Sequence, residues 1–179
     1  IGSDVAFCID GGTALATGRG EEISPLPAAT QLYAVLGKHR SLQVSTAWAY
    51  GTYRETFGSG YAKDPQTLAE RRSRVHSGDM VAAIGAKDNP KIASLLHNDL
   101  EKVVLPAYPA VARLRETFLE AGAMGAMMSG SGPSVFALAE SEAAAQQILE
   151  DTRSRLDDAD LDLWVTQFVP AGVTVVGDR

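Results

Sequence analysis

The sequence holds a single cysteine, Cys8. That excludes a disulfide within the chain and fits a reducing compartment. Flanked by Phe7 and Ile9, Cys8 reads as a small buried hydrophobe in preference to a nucleophile. Long apolar runs are missing as well: none approaches the roughly 20 residues that a membrane-crossing helix needs. Basic charge is in deficit. Sixteen Lys and Arg against 22 Asp and Glu leave a net charge of −6, which argues against non-specific binding to nucleic acid. Neither a lysine-bearing Walker phosphate loop nor the dinucleotide-binding glycine fingerprint occurs. Apolar residues, by contrast, make up 45% of the 179. They suffice for a sizeable core in one domain, or in one domain with an appendage.

Glycine is concentrated in two places. The first is the opening stretch, residues 1 to 22. Asp4 precedes an apolar run, Val5 to Ile9; a glycine pair follows at Gly11 and Gly12, then Thr13–Thr17, then Gly18-Arg19-Gly20. The spacing predicts two strands, Val5–Ile9 and Thr13–Thr17, in backbone that approaches something closely or visits positive φ. Asp4 has two readings: a carboxylate at the entrance to a crowded place, or a solvated acid at the end of a hairpin. Spacing alone favours the hairpin. The chain starts with Ile1, in mid-motif, and is expected to be a fragment or a processed or split protein.

Glu21–Ile23 extends the second strand, and Ser24–Thr30, with Pro25 and Pro27, reads as a connector. Leu32–Leu36 is a continuous apolar run suited to a central strand buried on both faces. The basic cluster Lys38-His39-Arg40 fits a solvated strand end better than a phosphate site. Ser45 or Thr46 caps a short helix on which Thr46 and Tyr50 share a face. The aromatics there, Trp48, Tyr50 and Tyr53, suit stacking on a flat ring and suit core packing, and packing is favoured. Residues 57 to 66 read as a loop.

Helix-forming residues run from Thr67 to Ala86 with a break at Gly78. Lys91–Leu105 carries apolar residues at a 3.6 period and is expected to be one helix stopped by Pro106. Asp99 falls on its apolar stripe and needs partners there; backbone amides of a neighbouring loop are expected to supply them, and a catalytic role is not favoured. Pro109 starts the next helix and Gly122 ends it. The second glycine-rich feature is Ser129-Gly130-Ser131-Gly132-Pro133, between two apolar runs: a strand, a loop of exposed amides able to face an anion, and a strand. Ser141 caps a further helix. Leu163–Val169 is a strand, and Val173–Val176 is a candidate last one. From residue 30 onward the pattern is that of a split β-α-β unit, an antiparallel α+β sheet with helices on one face and added helices after the first strand.

Several stretches together carry a resemblance: Gly2-Ser3-Asp4-Val5-x-Phe7, Gly11-Gly12-Thr13-Ala14-x-Ala16-Thr17-Gly18-Arg19-Gly20-Glu21, Ser45-Thr46-x-Trp48-Ala49-Tyr50, His97-Asn98-Asp99-Leu100-Glu101, and Ser129–Phe136. In this order they resemble the GHMP kinase superfamily. Within it they are most like the cyanobacterial or plastid-type kinases acting on 4-diphosphocytidyl-2-C-methyl-D-erythritol in non-mevalonate isoprenoid synthesis. The glycine loop is common to the superfamily; the first stretch is the specific one. The resemblance implies that residues 1–28 are the C-terminal remnant of the family's N-terminal domain. Residues 29–179 would then be its ferredoxin-like C-terminal domain.

It further implies transfer of phosphate from ATP, with Mg2+, to the substrate's 2-hydroxyl. Asp4 matches the catalytic aspartate. Gly18 and Arg19 match positions on the methylerythritol side, and Thr46 and Tyr50 match the cytidine end. Ser129, Gly130, Ser131 and Gly132 match the phosphate-proximal loop. No metal ligand is implied in this chain, nor a nucleic-acid or membrane partner, and the location implied is cytoplasmic, or stromal in a plastid. Two departures stand out. Ala6 occupies a position where the family usually has proline. The lysine partner of the aspartate and the glycine-rich loop that cradles ATP belong to the family's first half and do not occur here, so the chain is expected to need that half for activity.

Overall fold

The structure is a computed structural model that describes residues 4–29, 32–61 and 64–174. Gly2 and Ser3 of the opening motif, Thr30 of the expected connector, Ala62 and Lys63 of the expected loop, and Val175 and Val176 lie outside the described residues. In chain order the elements are α1 (Val5–Asp10), β1 (Thr13–Thr17), β2 (Glu22–Leu26), β3 (Tyr33–His39), α2 (Thr46–Phe57), α3 (Pro65–His76), α4 (Asp79–Ala86), α5 (Asn89–Ser94), α6 (Glu101–Ala107), α7 (Pro109–Glu120), β4 (Gly125–Met128), β5 (Val135–Ala139), α8 (Glu142–Leu156) and β6 (Leu161–Gln167). They form two compact units. One comprises Ile1–Gln31, Ala62–Ile92 and Phe168–Arg179; the other comprises Leu32–Tyr61 and Ala93–Gln167.

The second unit is built on a four-stranded sheet in the order β4-β5-β3-β6, antiparallel throughout. With its helices this is the split β-α-β layout read from the sequence. Strand β3 is internal and pairs with β5 over Tyr33–Gly37 and with β6 over Tyr33–His39. The helix-side core includes Val35, Leu114, Phe118, Met128, Ala137, Ala145 and Ile148, all nearly inaccessible. Strand β3 is buried on both faces over its first part, as its apolar run suggests, Ala34 and Val35 being 4% and 0% exposed, and it opens at Leu36. Leu36 stays 38% exposed and lies opposite Phe136 on one side and Trp164 on the other. Helix starts follow local chemistry: Ser45 accepts from the Trp48 amide, Ser141 accepts from the Ala144 amide, and Pro109 opens α7.

The expected helix over Lys91–Leu105 is broken. Helix α5 ends at Ser94 and α6 begins at Glu101. Between them the Asn98 side chain accepts from the Leu100 amide at 3.0 Å, the local bond by which Asn competes with helix. Pro106 does not stop α6; it lies inside the helix, which runs one residue further. The basic cluster is not simply solvated either. His39 is buried and its Nδ1 stands 3.2 Å from an Asp158 carboxylate oxygen.

In the first unit, β1 and β2 form a two-stranded antiparallel ribbon with Thr13 opposite Leu26 and Thr17 opposite Glu22. Strand β2 reaches through Pro25, which the sequence reading had placed in a connector. A two-stranded ribbon has two free edges, where the missing N–H of proline is tolerated. Val5–Asp10 is a helix and not a strand, closed by Gly11 at φ 69°. Six residues are too few to tell a helical from a strand period. Cys8 accordingly lies exposed and not in a core. Gly11 and Gly172 meet backbone to backbone, and the Val173 amide donates to the Cys8 carbonyl at 3.2 Å. The glycine pair thus serves a close chain crossing. Val173 and Thr174 belong to no strand.

The core and the exposed part of the sheet around Leu36 and Trp164 predict different sensitivities. Phe118→Ala should cost about 3–5 kcal/mol. Trp164→Ala, at a half-exposed position, should cost well under half as much. Urea unfolding of the two variants checks this; equal losses would contradict the burial pattern.

Candidate active site

Within the second unit the Ser129–Pro133 loop joins β4 to β5. Gly130 and Gly132 take φ of 56° and 78°, and the Gly132–Pro133 peptide is cis. Its frame is closed by two backbone bonds, Ser129 N–H to Ser134 O at 2.8 Å and Gly132 N–H to Ser129 O at 2.9 Å. Only glycine enters that left-handed region at little cost, and a Cβ at Gly132 would press on Met128 Sδ at 2.8 Å. The loop is also tied to α2, because the hydroxyls of Thr46 and Ser131 are 2.9 Å apart. A residue read as the cytidine end and a residue read as the phosphate loop are therefore direct neighbours.

Tyr50 follows on α2 one turn after Thr46 and is 54% exposed. Its ring is free to stack, so the core reading preferred from sequence does not hold for it. Its neighbours divide. Trp48 meets Tyr108 edge to face at 5.4 Å, and Tyr53 packs against Phe57 and Tyr61 at 5.0 and 6.4 Å.

Asp99 is corrected by the structure. Among the described residues no loop amide is its partner; its Oδ1 lies 2.7 Å from Lys102 Nζ and 3.2 Å from His97 Nε2, and the group is half exposed. The Lys102 ammonium holds its carboxyl below the usual carboxylate range. Bonds from His97 and Tyr53 act in the same direction, against partial desolvation. Tyr53 is pushed up, by desolvation first and then by its bond to Asp99. Lys102 is pushed up by Asp99.

The loop contact expected of Asp99 is made by its neighbour Asn98. The Asn98 amide nitrogen donates to the carbonyls of Met128 and Gly130, each at 2.8 Å. Glu101 accepts from the Met128 amide at 2.7 Å and stands 3.3 Å from Arg115 Nε. Asn98 and Glu101 belong to the His97–Glu101 stretch of the resemblance. No periodicity marks them as loop supports, because the contact spans about thirty positions of chain.

In the first unit, Asp4 precedes α1 with an exposed side chain that makes no capping bond. Gly18, Arg19 and Gly20 form the β1–β2 turn, with Gly18 at φ 70° and Gly20 at φ 101°. Glu21 folds back there, accepting from the Arg19 amide at 2.6 Å, and would meet a Cβ at Gly18 at 2.9 Å. The turn keeps the Arg19 side chain exposed. Among the described residues no group of three His, Cys, Asp or Glu is placed to hold a metal ion, and no helix is long and apolar enough to cross a membrane.

A split β-α-β sheet with a glycine loop between its two middle strands in sequence is the arrangement of a known domain. Residues 80–158 match the family described as GHMP kinases C terminal. Over its whole length it is 56% identical to the 4-diphosphocytidyl-2-C-methyl-D-erythritol kinase of Trichormus variabilis, covering 57% of that protein. It is 49% identical to the kinase of the same name from Synechocystis sp. over 178 residues, 56% of that protein. The chain thus spans little more than half the length of the curated relatives it matches. Among solved structures, homoserine kinase from Cytophaga hutchinsonii superposes with a TM-score of 0.71 at 27% identity, over 94% of this chain and 52% of that one. A 4-(cytidine 5'-diphospho)-2C-methyl-D-erythritol kinase superposes with a TM-score of 0.57 at 23% identity, over 85% and 48%.

The Asp99 cluster makes a signed prediction. A carboxyl whose pKa is lowered by folding adds stability above its unfolded pKa and loses it as pH falls through the folded one. Lys102→Met should therefore move the Asp99 titration upward, toward the ordinary carboxylate range, and cause acid unfolding to begin at a higher pH. Carboxyl-carbon NMR titration reads the first effect; an unmoved Asp99 would contradict the pairing.

Proposed function

We propose that the chain supplies the catalytic aspartate and the substrate-binding half of a kinase. The reaction is transfer of the γ-phosphoryl group of ATP to the 2-hydroxyl of 4-diphosphocytidyl-2-C-methyl-D-erythritol, a step of isoprenoid synthesis by the non-mevalonate route. The observation that carries this reading is identity. The chain is 56% identical along its full length to kinases named for that substrate and 27% identical to the homoserine kinase. The similar sheet in the homoserine kinase supports the domain and does not select the substrate.

Asp4 accepts the hydroxyl proton as the oxygen attacks the γ-phosphorus and the bond to ADP breaks. Its exposed side chain, which makes no capping bond, supports that role. Gly18 and Arg19 line the methylerythritol side, where the turn holds its backbone in shape through Glu21. Tyr50 stacks on the cytosine ring, in keeping with its exposure, and Thr46 lies beside it. Ser129, Gly130, Ser131 and Gly132 lie near the reacting phosphates, in keeping with a loop of fixed, amide-rich backbone.

Residues 1–28 correspond to the end of an N-terminal domain and 29–179 to the C-terminal domain. The remaining part of the full-length relatives would hold ATP. Mg2+, generally used by such kinases, has no cluster of ligands among the described residues, so no step here is assigned to a cation held by this chain. The location inferred is the cytoplasm, or the stroma in a plastid.

Phosphoryl transfer rests on positioning and charge neutralisation. These 179 residues alone should therefore give no product in an assay with ATP and the cytidylyl substrate; clear turnover would refute the division of labour. In the complete kinase, Asp4→Asn should lower kcat by about 10²–10⁴-fold with little change in the substrate's KM. Full activity in that variant would instead favour a ligand-binding role for the domain. Preference for homoserine or mevalonate over the cytidylyl substrate would overturn the choice of acceptor.

A further inference from the structure

Strand β4 is an edge strand, paired only with β5. At its last residue, Met128, the backbone N–H and C=O both find side-chain partners: Glu101 Oε1 at 2.7 Å and Asn98 Nδ2 at 2.8 Å. The two groups of one strand residue point to the same side. The segment between α5 and α6 thus stands where a further strand would. The Asn98 amide is used completely. Its two N–H donors go to the Met128 and Gly130 carbonyls, and its oxygen accepts from the Leu100 amide at 3.0 Å. A flipped amide would set oxygen against two carbonyls, so one orientation is fixed. Gly130 sits at positive φ, and its carbonyl direction sets where the following Ser131 amide faces.

We infer that Asn98 is a positioning residue for phosphoryl transfer: it fixes the Ser129–Pro133 loop through the Met128 and Gly130 carbonyls and touches no reactant itself. The inference rests on the reading of that loop as phosphate-proximal. Glu101, 3.3 Å from Arg115 Nε, holds the same strand end from its N–H, and Thr46 holds the loop from the other side through Ser131. Of the three, only Asn98 bonds to loop backbone beyond the strand.

The test uses the complete kinase with three variants. Asn98→Asp keeps the size and the acceptor for Leu100 but replaces both donors with a carboxylate oxygen. Asn98→Ala removes the donors without adding charge and serves if the first variant does not fold. Gly132→Ala perturbs the loop directly. The expected result is a loss of kcat of about 10²-fold, the scale of an ångström-level misplacement, with a raised KM for ATP in all three. The KM for the cytidylyl substrate should stay within about twofold, since Tyr50 is not displaced. Hydrogen exchange at the Ser129 and Gly132 amides should speed up in both Asn98 variants. Unchanged kcat and ATP KM in the Asn98 variants, with Gly132→Ala impaired, would overturn the role given to Asn98 and leave the loop reading standing. Unchanged kinetics in Gly132→Ala would overturn the loop reading, and the kinetic role of Asn98 with it. A loss of stability with normal kinetics in the Asn98 variants marks an ordinary structural residue and equally overturns the inference.

Discussion

The second unit depends on a missing side chain. Gly37 sits near the end of the internal strand β3, and a Cβ there would stand 2.9 Å from Phe118, 3.0 Å from Leu114 and 3.1 Å from Leu163. The space is taken by the apolar stripe of α7 and by β6. Helix and sheet therefore approach more closely than a substituted strand would permit, and the core is packed at that distance. Because β3 is paired on both sides, the spacing set at Gly37 is passed to β5 and, through it, to β4.

The glycine loop inherits this rigidity at its two strand ends and needs further supports in the middle. Those come from side chains on two separate segments: Asn98 and Glu101 from the broken helical stretch, and Thr46 from the first turn of α2. The break between α5 and α6 is thus more than an interruption of an amphipathic pattern. It releases Asn98 from helical geometry, so that one amide can serve both its own chain at Leu100 and the loop at Met128 and Gly130. Asp99, one position on, turns outward to Lys102 and His97 and leaves the loop to its neighbour.

The split β-α-β succession of strands and helices and the positions of most helices were legible in the sequence, because β3 is a continuous apolar run and α7 and α8 show an apolar period. Capping residues such as Ser45 and Ser141 act locally and were legible for the same reason. The failures are of two kinds. Val5–Asp10 and the stretch after Lys91 are short or locally rewired, and a side-chain bond within two residues outweighs an apolar period. The exposure of Leu36, on the same strand face as buried Leu32 and Ala34, depends on how far that face is covered, which no strand announces by itself. At the candidate site, the family resemblance pointed to the Ser129–Pro133 loop and to Asp4, for which spacing alone favoured a solvated acid. It did not identify Asn98 as a support, nor the pairing of Thr46 with Ser131, because both are contacts between distant segments. Identity along the chain, and not the sheet, distinguishes relatives named for different substrates.

The side chains at the end of β4 have a consequence outside catalysis. An edge strand with free N–H and C=O groups is a template onto which another polypeptide can pair. At Met128 both groups are already occupied by Asn98 and Glu101, so a foreign strand finds no ladder to continue there. The contacts that shape the loop also close the sheet to growth at that end. A change that loosened them would expose the strand to intermolecular association as well as disturb the loop.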